Sequence, residues 1–393
     1  IAIGHAAGCA ITDGQCNTII GTLAGTSITS GRCNTLIGPY AGRGITCGSH
    51  NIMAGPKVAC TASVTGTSNV ILGQCSSMQL SSGASNVILG PASAKCITTG
   101  SGNVILGSFA GAGVTTGSYN VFLSGGVATC GFKGCRNIAI GQLSMNNAAT
   151  DDTISDNIAL GHYAGHKLEG TTNIMIGFKS GRCTNVANHS VFIGQCAGMG
   201  NTTGAQNIAI GRKSGGLVCG GTGDDNISMG HQAGTSLVSG SNNINIGSCA
   251  GFCLTTGNYN ISLGFRAGCK LSSGTCNTFI GFCAGRNTNT AGSNTYIGRY
   301  AGASNTSGGG NLVIGDNAAN SSSFFQNIIA IGCCSASNAF GSNNGNGGIA
   351  IGTCAARFAT VDVLAIGTNS GCQTTGVQNV FLGTNTGLKN TSG

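Results

Sequence analysis

One pattern recurs from end to end of this chain and limits what it can fold into. In Asn277-Thr278-Phe279-Ile280-Gly281-Phe282-Cys283-Ala284-Gly285 it reads N-x-x-I-G-x-x-A-G, and Asn34 to Gly42 and Asn294 to Gly302 are close copies. With the glycine after the apolar run set as position zero, 23 anchors fall between Gly4 and Gly383, one of them substituted by Ser124. Of the 22 spacings, 15 are 17 residues and the others run from 15 to 20. A fixed period of this kind marks a solenoid. Each coil is too small to bury its own apolar residues, so the stack supplies the core.

The columns of the repeat differ in chemistry. Positions −3 to −1 are mostly apolar or Thr, as in Val70-Ile71-Leu72 and Val121-Phe122-Leu123. Side chains alternate along a strand, so this strand is apolar on both faces. Positions +3 and +4 are usually Ala-Gly, small enough for a tight corner. Position +7 returns to an aliphatic residue (Ile28, Ile45, Leu80, Leu254), with Thr or Ser at +8 and +9 and Gly at +10. The spacing predicts two short strands and two turns per coil. The expected fold is all-β: a parallel β-solenoid, or β-roll, of about 23 coils with a 17-residue period, continuous over 1–393. At a strand spacing of roughly 4.8 Å the stack comes to on the order of 110 Å. Longer turns fall at 146–156, 216–225 and 338–348, and the coils of 332–393 are irregular. The chain begins inside a repeat, at Ile1-Ala2-Ile3-Gly4, and reads as a segment of a longer repetitive protein.

Eighteen copies carry Asn at −4, where the chain turns into the strand. Asn17, Asn34, Asn51, Asn69, Asn86, Asn103, Asn120 and Asn137 form the first run, and stacked Asn side chains bond their neighbours above and below. The strand's second apolar face needs a partner, because an exposed greasy stripe aggregates. Sister chains are the economical partner, so we expect a homotrimer, with end-to-end filaments a further form of self-association.

The N-x-x-I-G-x-x-A-G unit followed by T-T-G resembles the repeats of phage and virus tail-fibre proteins. It is also similar to the head repeats of trimeric autotransporter adhesins, whose N-S-V-A-I-G-like strand lines a trimeric parallel β-roll. Asn137 to Gly141, Asn157 to Gly161 and Asn207 to Gly211 match that strand closely. The resemblance spans nearly the whole chain and implies left-handed coils. It departs in its 17-residue period, longer than the adhesin head's, and in its many cysteines. It implies a non-catalytic fibre on a virion or cell surface, outside the cell. The alternatives are an adhesin head that binds a cell-surface receptor or glycan, and an ice-binding solenoid, the latter because Thr recurs at +8 and +9.

Composition narrows the function. Charged residues are 7%, against about 25% in ordinary domains, so the surface is coated by Ser, Thr, Asn and Gly. The net charge of +8 is carried by basic residues scattered singly, Arg212-Lys213 being the one doublet. A nucleic-acid footprint clusters them and interleaves aromatics, so none is expected. The longest apolar runs are four or five residues, too short for a membrane span.

Twenty-one cysteines keep register with the repeat. Same-column thiols in adjacent coils lie within disulfide range by Cα distance. Candidate pairs are Cys16 with Cys33, Cys249 with Cys253, and Cys334 with Cys354. The acidic turns, with Asp151, Asp152 and Asp156 in one and Asp224 and Asp225 in the other, are candidate contact or Ca²⁺ turns. His5, His162 and His231 share column +1. No carboxylate pair, Ser-His-Asp set or Cys-His arrangement repeats at strand spacing, so neither catalysis nor a cofactor is expected.

Overall fold

The computed structural model describes residues 1–128, 131–146, 154–321, 323–339, 347–359, 363–375 and 379–390. The chain divides into two compact units, Ile1–Cys196 and Ala197–Gly393. Both are all-β parallel solenoids built from the same coil, and the described residues contain no helix. Counted along the chain, the strands of the repeat make about 22 turns.

Nearly every coil contributes one three-residue strand at −3 to −1, such as Thr35–Ile37 in the first unit and Thr278–Ile280 in the second; Ala2–Ile3 is shorter, and Val363–Ile366 and Asn379–Leu382 are longer. Strands pair in parallel with the same column of the next coil: Ile71 opposite Ile88, and Phe279 opposite Tyr296. The −2 side chain points inward. Ile19, Leu36, Ile88, Phe122 and Phe279 are fully buried there. Ala at +3 and the aliphatic residue at +7 close the core from the other legs of the coil, with Ala24, Ala41, Ile28 and Ile45 also fully buried. Volume is traded across the coil, as close packing requires. Ile19 faces a +7 Ile28, whereas the larger Phe279 and Tyr296 share their coils with Thr288 and Asn305, all of them buried.

The expected second strand is absent across most of the stack. The reason lies in the +7 amide. Ile45 N–H donates to the Gly42 carbonyl of its own coil (3.0 Å), and Val114 does the same to Gly111 (2.9 Å). A tight turn thus holds the +7 amide inside its own coil, and pairing on this leg is left to the flanking residues, as in the isolated parallel bridge of Ile45 with Val64. What survives is a cluster of inter-coil bonds around +8, such as Thr29 N–H to Thr46 O at 3.0 Å, or the N–H groups of Thr12, Asp13 and Gly14 sharing Thr29 O at 3.0–3.1 Å. Among the described residues a second strand pairing is regular at Gln373–Thr374 with Lys389–Asn390, and isolated parallel bridges join Ile45 to Val64 and Asn201 to Gly221.

The turns carry non-glycine residues in the left-handed region at +2 and −5, among them Leu23, Tyr40, Cys75, Cys33 and Tyr259. Each such residue costs about 1–2 kcal/mol. The cost is offset by inter-coil bonds that these turns make, such as Tyr40 N–H to Thr22 O (2.9 Å) and Cys33 N–H to Gln15 O (2.9 Å).

Candidate functional site

The −3 and −1 side chains of the strand point away from the core, so they form two outward columns on each unit. In the first unit Ile37 and Ile52 are 45% and 46% exposed, and Ile20, Leu72, Val87 and Ile140 are exposed as well. In the second, Met229, Leu263, Ile366 and Leu382 continue the pattern. Beside them Phe265 and Phe282, both at +1 and exposed, stack with ring centres 5.2 Å apart. Each unit therefore presents a mainly aliphatic ladder, exposed at these positions and half-buried at most others among the described residues, with Thr at −3 in Thr18, Thr35, Thr278 and Thr295. No charge interrupts columns −3 and −1 of the described strands.

The −4 asparagines lie inside. All eight of Asn17, Asn34, Asn51, Asn69, Asn86, Asn103, Asn120 and Asn137 are buried, and they bond in one series. Asn86 is representative. Its Nδ2 donates to Asn69 Oδ1 (3.0 Å) and to Gly100 O (2.9 Å). Its Oδ1 accepts from both the backbone N–H and Nδ2 of Asn103 (3.0 Å each). Ser190 N–H ends the first unit's series on Asn173 Oδ1. A second series in the other unit ends where Ile328 N–H meets Asn311 Oδ1. The ladder is structural: every polar atom of Asn86 is spent internally. Of the seven N-x-Ser/Thr sequons in the sequence, at Asn188, Asn201, Asn226, Asn260, Asn305, Asn320 and Asn390, those at Asn201, Asn226, Asn260 and Asn305 are buried, which closes them to glycosylation in the folded chain.

The proposed cysteine pairs do not form. Cys16, Cys33, Cys249, Cys253, Cys334 and Cys354 are all free thiols. Cys249 and Cys253 belong to one coil, and in the two same-column pairs all four cysteines sit at left-handed corners, where the Cα spacing of the strands does not fix the direction of Cβ. Cys183 and Cys219 are each disulfide-bonded. Cys333 and Cys334 bring their sulfurs to 3.5 Å. Burial, then the contact with Cys333, pushes the Cys334 thiol up to about 11.

Of the acidic turns, Asp151 and Asp152 lie outside the described residues, as does 340–346 of the 338–348 turn. Asp156 is held by Arg136 through two bonds of 2.6 and 2.8 Å, which keep its carboxyl below the usual aspartate range. Asp224 accepts from Ala205 N–H at 2.7 Å, and Asp225 occupies the left-handed −5 corner. Both acidic positions thus do local structural work. His231 lies 3.3 Å from the Arg212 guanidinium. Among the described residues no group of three His, Cys, Asp or Glu side chains is placed to hold a metal ion, and no helix is long and apolar enough to cross a membrane.

Sequence reasoning missed one surface. In the second unit a 390 Å³ pocket is lined by Phe252, Arg266, Lys270, Arg286 and Asn287, among others. Its cations are dispersed in the chain and meet only through stacking. Arg266 at +2 and Lys270 at +6 of one coil and Arg286 at +5 of the next share neither a column nor a run, so no linear reading of the charges brings them together. No protein-family model, curated protein or solved structure matches this chain.

Proposed function

We propose that the chain is a non-catalytic structural fibre segment, the repetitive shaft of a virion fibre or cell-surface appendage, which acts outside the cell as a homotrimer. The observation that carries this reading is the pair of outward apolar columns at −3 and −1. Within each unit they repeat from coil to coil in register, apart from Thr at −3 in four coils, and a second and third copy of the same ladder match that spacing. A partner of different architecture has no such periodicity to offer. The residue cost of leaving aliphatic surface wet is roughly 25 cal/mol per Å², repeated coil after coil, which favours lengthwise self-association.

Sedimentation velocity tests the reading directly. The native species is expected at about three times the chain mass of 38.5 kDa. The double variant Ile37→Lys, Ile52→Lys is expected to shift it toward monomer while the far-ultraviolet spectrum stays that of the parent. A wild-type chain that sediments as a monomer defeats the proposal.

The ice-binding alternative is less well supported. At +8 the Thr hydroxyls donate to neighbouring carbonyls, as from Thr98 to Thr115 O (3.1 Å) and Thr255 to Ser272 O (3.1 Å). Phe132, Val238 and Asn289 also break that column.

A further inference from the structure

The second unit carries a concavity that the shaft reading does not use. Four successive coils build it, through columns +2, +5 and +6. Arg266, Lys270 and Arg286 line it, and none of the three has an ion-pair partner among the described residues. Two aspartates of this unit are engaged elsewhere, Asp316 by Arg299 at 2.9 Å and Asp224 by Ala205 N–H, and neither lines the pocket. The Cys269 thiol in the wall adds no countercharge, because burial and the neighbouring thiols of Cys253 and Cys249 push it up from the ordinary cysteine value. Phe252 supplies a flat apolar surface. The Gln232 side-chain oxygen faces the Cys249 thiol at 3.9 Å, which leaves its NH₂ as a donor.

This pocket does not stand alone. A second concavity of 640 Å³ shares Lys270 and Asn287 with it and runs on past Ser272, Asn289, Ser304 and Thr306. The result is one groove with two chemistries. One end concentrates positive charge around an aromatic ring. The other is a tract of hydroxyls and an amide with no charged side chain except the shared Lys270. The two volumes fall within the ~300–1,000 Å³ usual for ligand sites. A simple inorganic anion satisfies the cations but leaves the hydroxyl tract and Phe252 without a role. A hydroxyl-rich chain that bears carboxylate or sulfate groups satisfies all three: charge on the guanidinium groups, a ring face on Phe252, and hydroxyls on Ser, Thr and Asn.

We propose that this groove binds an acidic polysaccharide, with Arg266, Lys270 and Arg286 as its charge contacts and the Ser272 to Thr306 tract as its hydroxyl contacts. The assignment does not depend on trimerisation, since the groove columns lie on a different leg of the coil from −3 and −1.

Dextran sulfate, uncharged dextran of equal length and inorganic sulfate are the probes, titrated into the full chain by calorimetry. Dextran sulfate is expected to bind and uncharged dextran not to. Sulfate ion is expected to be weaker than the polymer by at least about tenfold, or 1.4 kcal/mol. The variant R266S/K270S/R286S is expected to lose at least about tenfold in dextran sulfate affinity. Removal of three exposed charges elsewhere, R32S/K57S/K95S, is expected to cost less than about threefold, or 0.7 kcal/mol. The spectrum of each variant reports folding, and the single variant R266S supplies a smaller loss of the same sign if the triple variant unfolds. Equal losses in the two triple variants, sulfate binding as tight as the polymer, or displacement of dextran sulfate by single-stranded polynucleotide at equal charge concentration each overturn the proposal.

Discussion

Asn86→Ala isolates the ladder from every other feature of the coil. The side chain is fully buried and takes part in four hydrogen bonds. Truncation removes all four, but their consequences differ. Asn103 Nδ2 keeps its bond to Gly117 O at 2.9 Å, and Asn69 Oδ1 keeps the Asn86 backbone N–H at 3.0 Å. Two groups are left with nothing: the Asn103 N–H and the Gly100 carbonyl. Each buried orphan costs about 1–3 kcal/mol, so the expected loss is about 2–6 kcal/mol. The exposed Gln79→Ala serves as control and is expected to stay within about 0.5 kcal/mol. Denaturant unfolding gives the global number. Hydrogen exchange at the Asn103 amide gives the local one, and protection there is expected to fall first.

The acid variant carries the same argument into pH. In Asn86→Asp the ionised carboxylate still accepts from Asn103 but faces two acceptors, Asn69 Oδ1 and Gly100 O, with no proton to offer. Burial and that repulsion raise its folded-state pKa above the unfolded aspartate value of about 3.9. A group with a raised folded pKa is tolerated below the unfolded value and destabilises as pH rises through the folded one. Asn86→Asp is therefore expected to be nearest to wild type at acid pH and to weaken toward neutrality. A loss under about 1 kcal/mol in Asn86→Ala, with unchanged exchange at Asn103, refutes the ladder as a source of stability.

Other positions give sharper single tests. A Cβ on Gly281, whose φ is +133°, meets the Gly298 carbonyl oxygen at 2.5 Å, so Gly281→Ala is expected to lower the melting temperature well beyond an ordinary surface change. Ser124 occupies the same column at φ 107°. Ser124→Gly removes strain of about 1–3 kcal/mol, against a glycine entropy cost of about 0.5–1 kcal/mol, and a net rise in melting temperature is the expected result. In the second unit Asn245 sits fully buried at −2 with neither side-chain atom bonded, between Ser228 and Ser262, whose hydroxyls also lack partners. Asn245→Leu is expected to stabilise by about 1–3 kcal/mol in denaturant unfolding; a loss means that the site has unseen polar partners. Arg299 depresses the Asp316 carboxyl below 3.8 through its hydrogen bond. That contribution is present above the ordinary value and fades as pH falls through the depressed one. The melting difference between wild type and Arg299→Gln is thus expected to close in strong acid.

How much of this was legible in the sequence follows from which interactions are periodic. The strand columns recur in every coil and the −4 asparagines in most, so the 17-residue count located Ile88, Asn86 and Ile37; which strand face meets the core was left to the structure, because both faces are apolar. The second leg was misread because residue type at +7 reports burial, not hydrogen bonding. Ile45 looks like a strand residue and is as buried as one, yet its amide is turned back onto Gly42. No side-chain pattern records that choice. Cysteine register failed for a related reason: column membership fixes Cα spacing but says nothing of Cβ direction, and Cys16 and Cys33 are both left-handed corners. The groove was hidden differently again. Arg266, Lys270 and Arg286 occupy three columns in two coils, so no single column and no run along the chain shows them together. In a solenoid, architecture is written in what repeats. Any specific recognition has to be written in what does not, and the departures from the repeat are where binding is to be sought.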